Sequence, residues 1–316
     1  MRRGPLSELM QARVISTEQT QEAVDLSGVR PSHKAWWQFA DYALTVLGGL
    51  ALACSVMFFV AYNWDDIGKF SQFALVEGLI VAAVIGYWKF GHETLAGKVA
   101  LLVGGVLVGV LLALYSQTYQ TGADPWQLFF YWALLVLPWL AISRFAVMWV
   151  LWIGLLNITL ATYFTPRFFL VDEHSLTWSI FALNTFFLFS AEVVAPRVSW
   201  LATRWPHRLL AMASGVPITQ LAMVAVMDQE SSEPVALLVW LAGLIVLYVV
   251  YHNKIRDLFL LAGGCLSIIV VIVTWLAWLL MDGLDEGALL IIGGAIVAMG
   301  GAAAWWLRRV REGWDI

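Results

Sequence analysis

Glu77 is the one ionisable side chain set well inside an otherwise apolar run, FALVEGLIVAAVIGYW. If that run crosses a membrane, the carboxyl lies roughly 10 Å from its nearer end at 1.5 Å per residue. An unpaired charge there costs at least about 2–3 kcal/mol. The group must therefore be neutral, paired or facing a wet cavity. Proton coupling and ligand contact are the chemistries it offers, and a single interhelical hydrogen bond is the plain alternative. Ala74 and Gly78 beside it would let a second helix approach closely.

A second group of polar residues follows the third apolar run, in YSQTYQTGADPW. Asp124 as N-cap, Pro125 at the first helical position and Gln127 three residues after the cap make a helix start. That accounts for Asp124 and Pro125 but not for Gln117, Thr118, Tyr119 and Gln120. These are uncharged donors and acceptors suited to sugars, lipid headgroups or an interhelical network. Asn63, Trp64, Asp65 and Asp66 add the same chemistry after the first run. A third feature is SGVPITQ, residues 214–220. Pro217 removes one backbone donor and crowds the preceding turn, and Ser214, Thr219 or Gln220 can supply the freed groups with partners. A broken helix at mid-membrane often lines a transport site; a simple kink is the other reading. The ligand or proton-coupling candidates are therefore Glu77, Gln117, Tyr119, Gln120, Asn63, Asp65, Pro217 and Gln220. Glu192, near the end of the sixth run and close to Arg197, can reach the interface and says less.

No catalytic or metal-ligating set stands beside these. His33, His92, His174, His207 and His252 are scattered, and Cys54 and Cys265 lie in apolar runs without metal or redox spacing. No Walker, HExxH, GxSxG or CxxC pattern occurs. No cofactor is expected, and without a nucleophile–base pairing an intramembrane enzyme is the weakest reading.

The elements that must position these residues follow from composition. The 316 residues are 61% hydrophobic and 13% charged, with a mean hydropathy of +0.80. Soluble chains lie near 45–50% apolar and about 25% charged. Both a soluble globular protein and a disordered one are excluded, leaving an all-α bundle of membrane helices. Barrel strands would alternate in polarity, and these runs are apolar on every face. Ten runs have spanning length: 42–61, 70–88, 99–115, 126–143, 145–163, 176–195, 209–227, 235–251, 258–280 and 288–306. Only Arg144 and its neighbours divide the fourth from the fifth. No cleavable signal peptide precedes them.

Three segments result: a cytosolic helical N-terminal segment, 1–41; a ten-span domain, 42–306; and a short basic cytosolic tail, 307–316. In the first, Leu6, Leu9, Met10 and Val14 recur at helical spacing, Ser16 with Gln19 resembles a capping box, and Pro31 ends the pattern. Its basic and acidic residues balance, so nucleic acid is not a partner. With both termini in the cytoplasm, sixteen of the eighteen lysines and arginines fall inside and only Lys69 and Arg167 outside. The external loops then hold eleven acidic residues. The eighteen tryptophans divide between span ends, as at Trp36, Trp64, Trp88 and Trp306, and deeper sites such as Trp132, Trp139, Trp149 and Trp240.

The stretch Phe58-Phe59-Val60-Ala61-Tyr62-Asn63-Trp64-Asp65 resembles bacterial membrane proteins of the domain of unknown function 2157. So do Tyr119-Gln120 through Asp124 to Trp132-Ala133-Leu134-Leu135 and Pro138, and the polar start with Ile15-Ser16 and Gln19. The resemblance covers roughly the first half. It implies a multi-pass protein of the bacterial cytoplasmic (inner) membrane and carries over no reaction, substrate or catalytic residue.

Two functions are compatible with these features. One is a carrier or flippase-like protein for a small or lipid-linked molecule, whose halves of five spans each would be inverted in topology. The other is a non-catalytic subunit or scaffold of a cell-envelope complex, with a membrane-protein partner or a second copy of itself in the bilayer. Small-residue pairs such as Gly105 with Gly109, Gly49 with Ala53 and Gly263 with Ser267 suit close helix packing in either case.

Overall fold

The computed structural model describes residues 32–62, 68–167, 174–227, 234–280 and 286–314. The helices expected before Pro31, and the candidates Asn63 and Asp65, lie outside these residues. Among the described residues there is no strand. Ten helices are long and apolar enough to span a membrane. They are α1 His33–Tyr62, α2 Lys69–Phe90, α3 Leu95–Tyr119, α4 Pro125–Ser143, α5 Ala146–Phe164, α6 Ser175–Val194, α7 Arg204–Met227, α8 Pro234–Tyr248, α9 Leu258–Leu279 and α10 Glu286–Trp314. A π-helical turn, Val249–Lys254, continues α8.

Each expected run is present, and the helices overshoot the apolar runs where local chemistry allows. α1 begins at His33 rather than at Tyr42, because Ser32 caps it: the Ser32 hydroxyl accepts from the Ala35 N–H at 3.2 Å. Trp36, Trp37 and Phe39 are thus part of the first helix. α3 continues through the polar residues to Tyr119 and stops only where Gln120 turns left-handed, at φ 43°. Arg144, at φ 44°, makes the equally tight turn between α4 and α5. Large apolar side chains such as Trp37, Leu44, Trp88, Phe189, Leu290 and Val297 are exposed on the helices. In water such a surface would aggregate; lipid is the solvent that suits it.

The chain packs as two units. The first comprises the described residues up to Ala123 together with Tyr131–Met148; the second comprises Asp124–Phe130 and Trp149–Trp314. The division falls near the start of α5, setting four helices against six rather than five against five.

In the first unit α3 is central, packing against both α1 and α2. Val76 of α2 meets Leu107, Val110 and Leu114 of α3 in its core. Gly105 and Gly109 do serve close packing, Gly105 against Met148 and Gly109 against an indole. A Cβ at Gly109 would overlap the Trp132 ring, and one at Gly104 would press on Trp139. Trp132 then donates its indole N–H to the Gly105 carbonyl at 2.8 Å. Gly49 opposes Val99, and Ala53 is fully buried.

In the second unit α7 packs on α6, α8 and α9, around Ile218, Leu221, Ala222, Trp240 and Val271. α7 runs unbroken from Arg204 to Met227 with Pro217 inside it, so of the two readings the broken helix is not the one observed. Thr219 instead ends a directional chain. The Trp240 indole N–H reaches Ser267 Oγ at 2.8 Å, Ser267 meets Thr219 Oγ1 at 2.6 Å, and Thr219 donates to the Gly215 carbonyl at 2.7 Å. This ties α8, α9 and α7 together. Ser267 is therefore a hydrogen-bonding residue, and Gly264 rather than Gly263 is the glycine against a neighbour, Leu247. Between α5 and α6, Asn157 and Asn184 exchange amide hydrogen bonds of 3.2 and 2.7 Å. Asn184 is buried, so each side chain satisfies the other where no water can.

Candidate functional site

α2 and α3 lie side by side in antiparallel order, so the first turns of α2 meet the last turns of α3. Phe70, Phe73, Ala74 and Glu77 recur at the spacing of one helix face, as do Tyr115 and Tyr119. Together they line an open pocket of about 360 Å³. The Tyr115 and Tyr119 rings are 4.9 Å apart and the Phe73 and Tyr119 rings 6.2 Å apart between centroids. Among the described residues no hydrogen bond or ion pair engages the Glu77 carboxylate, and none engages the hydroxyls of Tyr115 and Tyr119. Lys69 opens α2, about 12 Å along the helix from Glu77, and its ammonium rests 5.3 Å above the Phe70 ring.

Of the residues singled out in the sequence, the fold brings together Glu77 and Tyr119. Gln117 is exposed on α3 and does not line the pocket. Gln120 is the C-cap of α3, and its N–H donates to the Ser116 carbonyl. Pro217 and Gln220 belong to the second unit, one buried and the other exposed on α7. Phe70, Phe73 and Tyr115 complete the pocket and were not anticipated. The signal for Tyr115 was the helical continuation of α3, which sets Tyr115 and Tyr119 on one face; Phe70 and Phe73 share the α2 face of Glu77. Asp124 precedes α4 as expected, with its carboxylate held by the Trp126 indole at 3.1 Å and by Arg167 at 3.3 Å.

A second polar group, in the second unit, was also missed. Glu192 at the end of α6 accepts from Arg204 Nη1 at 2.9 Å and from the Tyr251 hydroxyl at 2.9 Å, so its cation is Arg204. Asp257 caps α9 by accepting from the Phe259 N–H at 3.1 Å. The same side chain takes Arg204 Nε at 3.2 Å and Arg208 Nε at 3.1 Å. Burial pushes the Asp257 carboxyl up, but the hydrogen bonds and charges of Arg208 and Arg204 outweigh it and hold it below the usual aspartate value. His207 is fully buried. Its Nδ1 lies 3.2 Å from the Thr203 carbonyl, and its Nε2 lies 4.0 Å from Glu192. The group joins the ends of α6, α7, α8 and α9. Its charges are mutually neutralised, which suits a clamp better than a binding site.

Ten apolar helices, a lipid-compatible surface and polar side chains gathered at helix ends and in one pocket define a polytopic α-helical membrane protein. Residues 7–149 match the family described as "Predicted membrane protein (DUF2157)", so the first half of the chain carries that family's pattern. The match ends beside Met148, where the first unit also ends. No curated protein and no solved structure matches the chain.

Proposed function

We propose that this protein is a carrier or flippase-like protein of the bacterial inner membrane, with the α2–α3 pocket as its entrance for a small or lipid-linked molecule. The observation that carries this reading is the unpaired Glu77 carboxylate. It is exposed on a spanning helix and lines the pocket, and among the described residues neither it nor the hydroxyls of Tyr115 and Tyr119 have a partner. A structural carboxyl at that depth would be expected to end on a partner side chain. One that lines an open pocket without a partner is placed to meet a transported molecule. The lysine and arginine asymmetry of the loops supports an external side for the pocket.

The test is reconstitution of the full chain into vesicles that carry fluorescent phospholipids or a panel of labelled small solutes. Protein-dependent movement of at least one probe is expected, falling about tenfold or more in Glu77→Gln with thermal stability unchanged. Movement that is equal in wild type and Glu77→Gln, or absent for every probe, overturns the carrier reading. The alternative, a non-catalytic subunit or scaffold of an envelope complex, has one observation in its favour. Gly293, Gly294, Gly300 and Gly301 of α10 face open space among the described residues, as a helix does when it awaits a membrane partner. A defined complex in native lipid, with no probe movement by the isolated chain, would favour that reading.

A further inference from the structure

We propose that the α2–α3 pocket recognises an organic ammonium group, held between the Glu77 carboxylate and the rings of Phe70, Phe73, Tyr115 and Tyr119. This deepens the carrier reading at the same site, and the amine preference is tested separately from movement. Charge balance narrows the ligand first. Glu77 has no cationic partner among the described residues, and Lys69 is too far along α2 to reach it. A neutral sugar would leave Glu77 uncompensated whenever its carboxyl is charged, and an anion would add to the cost. A cation removes it.

The wall chemistry then selects the kind of cation. Calcium takes six to eight oxygen ligands, and magnesium an octahedral shell. This pocket offers one carboxylate and two phenolic oxygens amid hydrocarbon and ring surface. Aromatic faces attract weakly hydrated ammonium groups within about 6 Å of the ring centroid, more strongly where water is excluded. The protein itself illustrates the affinity, since the Lys69 ammonium already lies over Phe70 at 5.3 Å. Tyr115, Tyr119 and Phe73 are tilted by 46° and 37° in successive pairs, giving a curved aromatic wall. The volume of about 360 Å³ admits a methylated or primary ammonium with a short stem. That group could be a free small amine or the headgroup of an aminophospholipid whose tails stay in the bilayer.

Binding of choline and of its uncharged isostere, 3,3-dimethylbutanol, to the purified full chain in lipid nanodiscs is the first arm. Choline is expected to bind about tenfold or more tightly than the isostere. The gap should close in Glu77→Gln, survive in Glu77→Asp, and shrink several-fold in Tyr115→Leu/Tyr119→Leu. Equal binding of the two probes, or a gap untouched by both Glu77→Gln and the tyrosine pair, overturns the proposal. If Glu77→Gln does not fold, the tyrosine pair decides. The second arm is native mass spectrometry after reconstitution in equal phosphatidylethanolamine and phosphatidylglycerol. Retention of the ethanolamine lipid by wild type but not by Glu77→Gln assigns a lipid headgroup. A choline preference without lipid retention assigns a free amine, and neither preference overturns the proposal. Amine selectivity without vesicle transport removes the carrier reading and leaves this one. Glu77-dependent transport without amine selectivity does the reverse.

Discussion

Glu77 and Asp257 show two fates of a carboxylate near a membrane. Glu77 stands out in the sequence because a single charge interrupts an apolar run, so its depth and cost can be read from spacing alone. Asp257 does not stand out. It looks like one more loop acid, and its meaning depends on Arg204 and Arg208, which lie far away in sequence on another helix. Such pairing is fixed by packing and leaves no local signature. The same is true of Asn157 with Asn184, whose side chains satisfy each other only because α5 and α6 meet. Asp257 supports a pH prediction. Its folded pKa is depressed, so its contribution to stability is complete above the ordinary aspartate value of about 3.9. That contribution is lost as pH falls through the lower folded value. Asp257→Asn should lower stability at pH 7 by about 1–3 kcal/mol and flatten the acid limb of the profile. Thermal unfolding in mild detergent from neutral to acid pH measures both. An acid limb as steep as that of the wild type would show that Asp257 contributes nothing to it.

At the scale of elements, hydropathy located all ten helices but not their ends. An apolar run marks the part of a helix that meets hydrocarbon, whereas the helix itself stops where a cap or a left-handed residue stops it. α3 therefore runs past Leu114 into Ser116–Tyr119, which places the pocket tyrosines on a rigid helix rather than in a loop. The glycines were legible as packing residues, but their partners were not, since small-residue motifs usually imply another backbone. On α3, Gly104 and Gly109 receive indoles and Gly105 receives Met148. Gly109→Ala should force the Trp132 ring away and weaken its hydrogen bond to the Gly105 carbonyl, costing about 1–3 kcal/mol by overpacking. Gly154→Ala on α5, where a Cβ would meet nothing within 4 Å, is the control and should be nearly neutral. Comparable melting temperatures for the two variants would mean that the α3–α4 contact yields without cost.

For the whole molecule, orientation is read from the charge of the loops rather than from packing, and it would determine which side the pocket serves. With both termini assigned to the cytoplasm, sixteen of the eighteen basic residues would fall on that side. Acidic residues contribute little to this rule, so the pairing of Arg204 and Arg208 with Glu192 and Asp257 does not weaken it. Under the same assignment, the clamp of Glu192, Arg204, Tyr251 and Asp257 lies toward the cytoplasm and the Glu77 pocket toward the exterior. The prediction is that reporter fusions after residues 120 and 230 read as external, and those after residues 93, 203 and 316 as cytoplasmic. A cytoplasmic signal at 120 would turn the pocket inward and make it an exit or a sensor of the cell interior. A cytoplasmic signal at 230 alone would mean that fewer than six of the helices α5 to α10 cross the bilayer. An external signal at 120 with a cytoplasmic one at 93 would leave Glu77, unpaired among the described residues, where it can draw a cation from outside the cell.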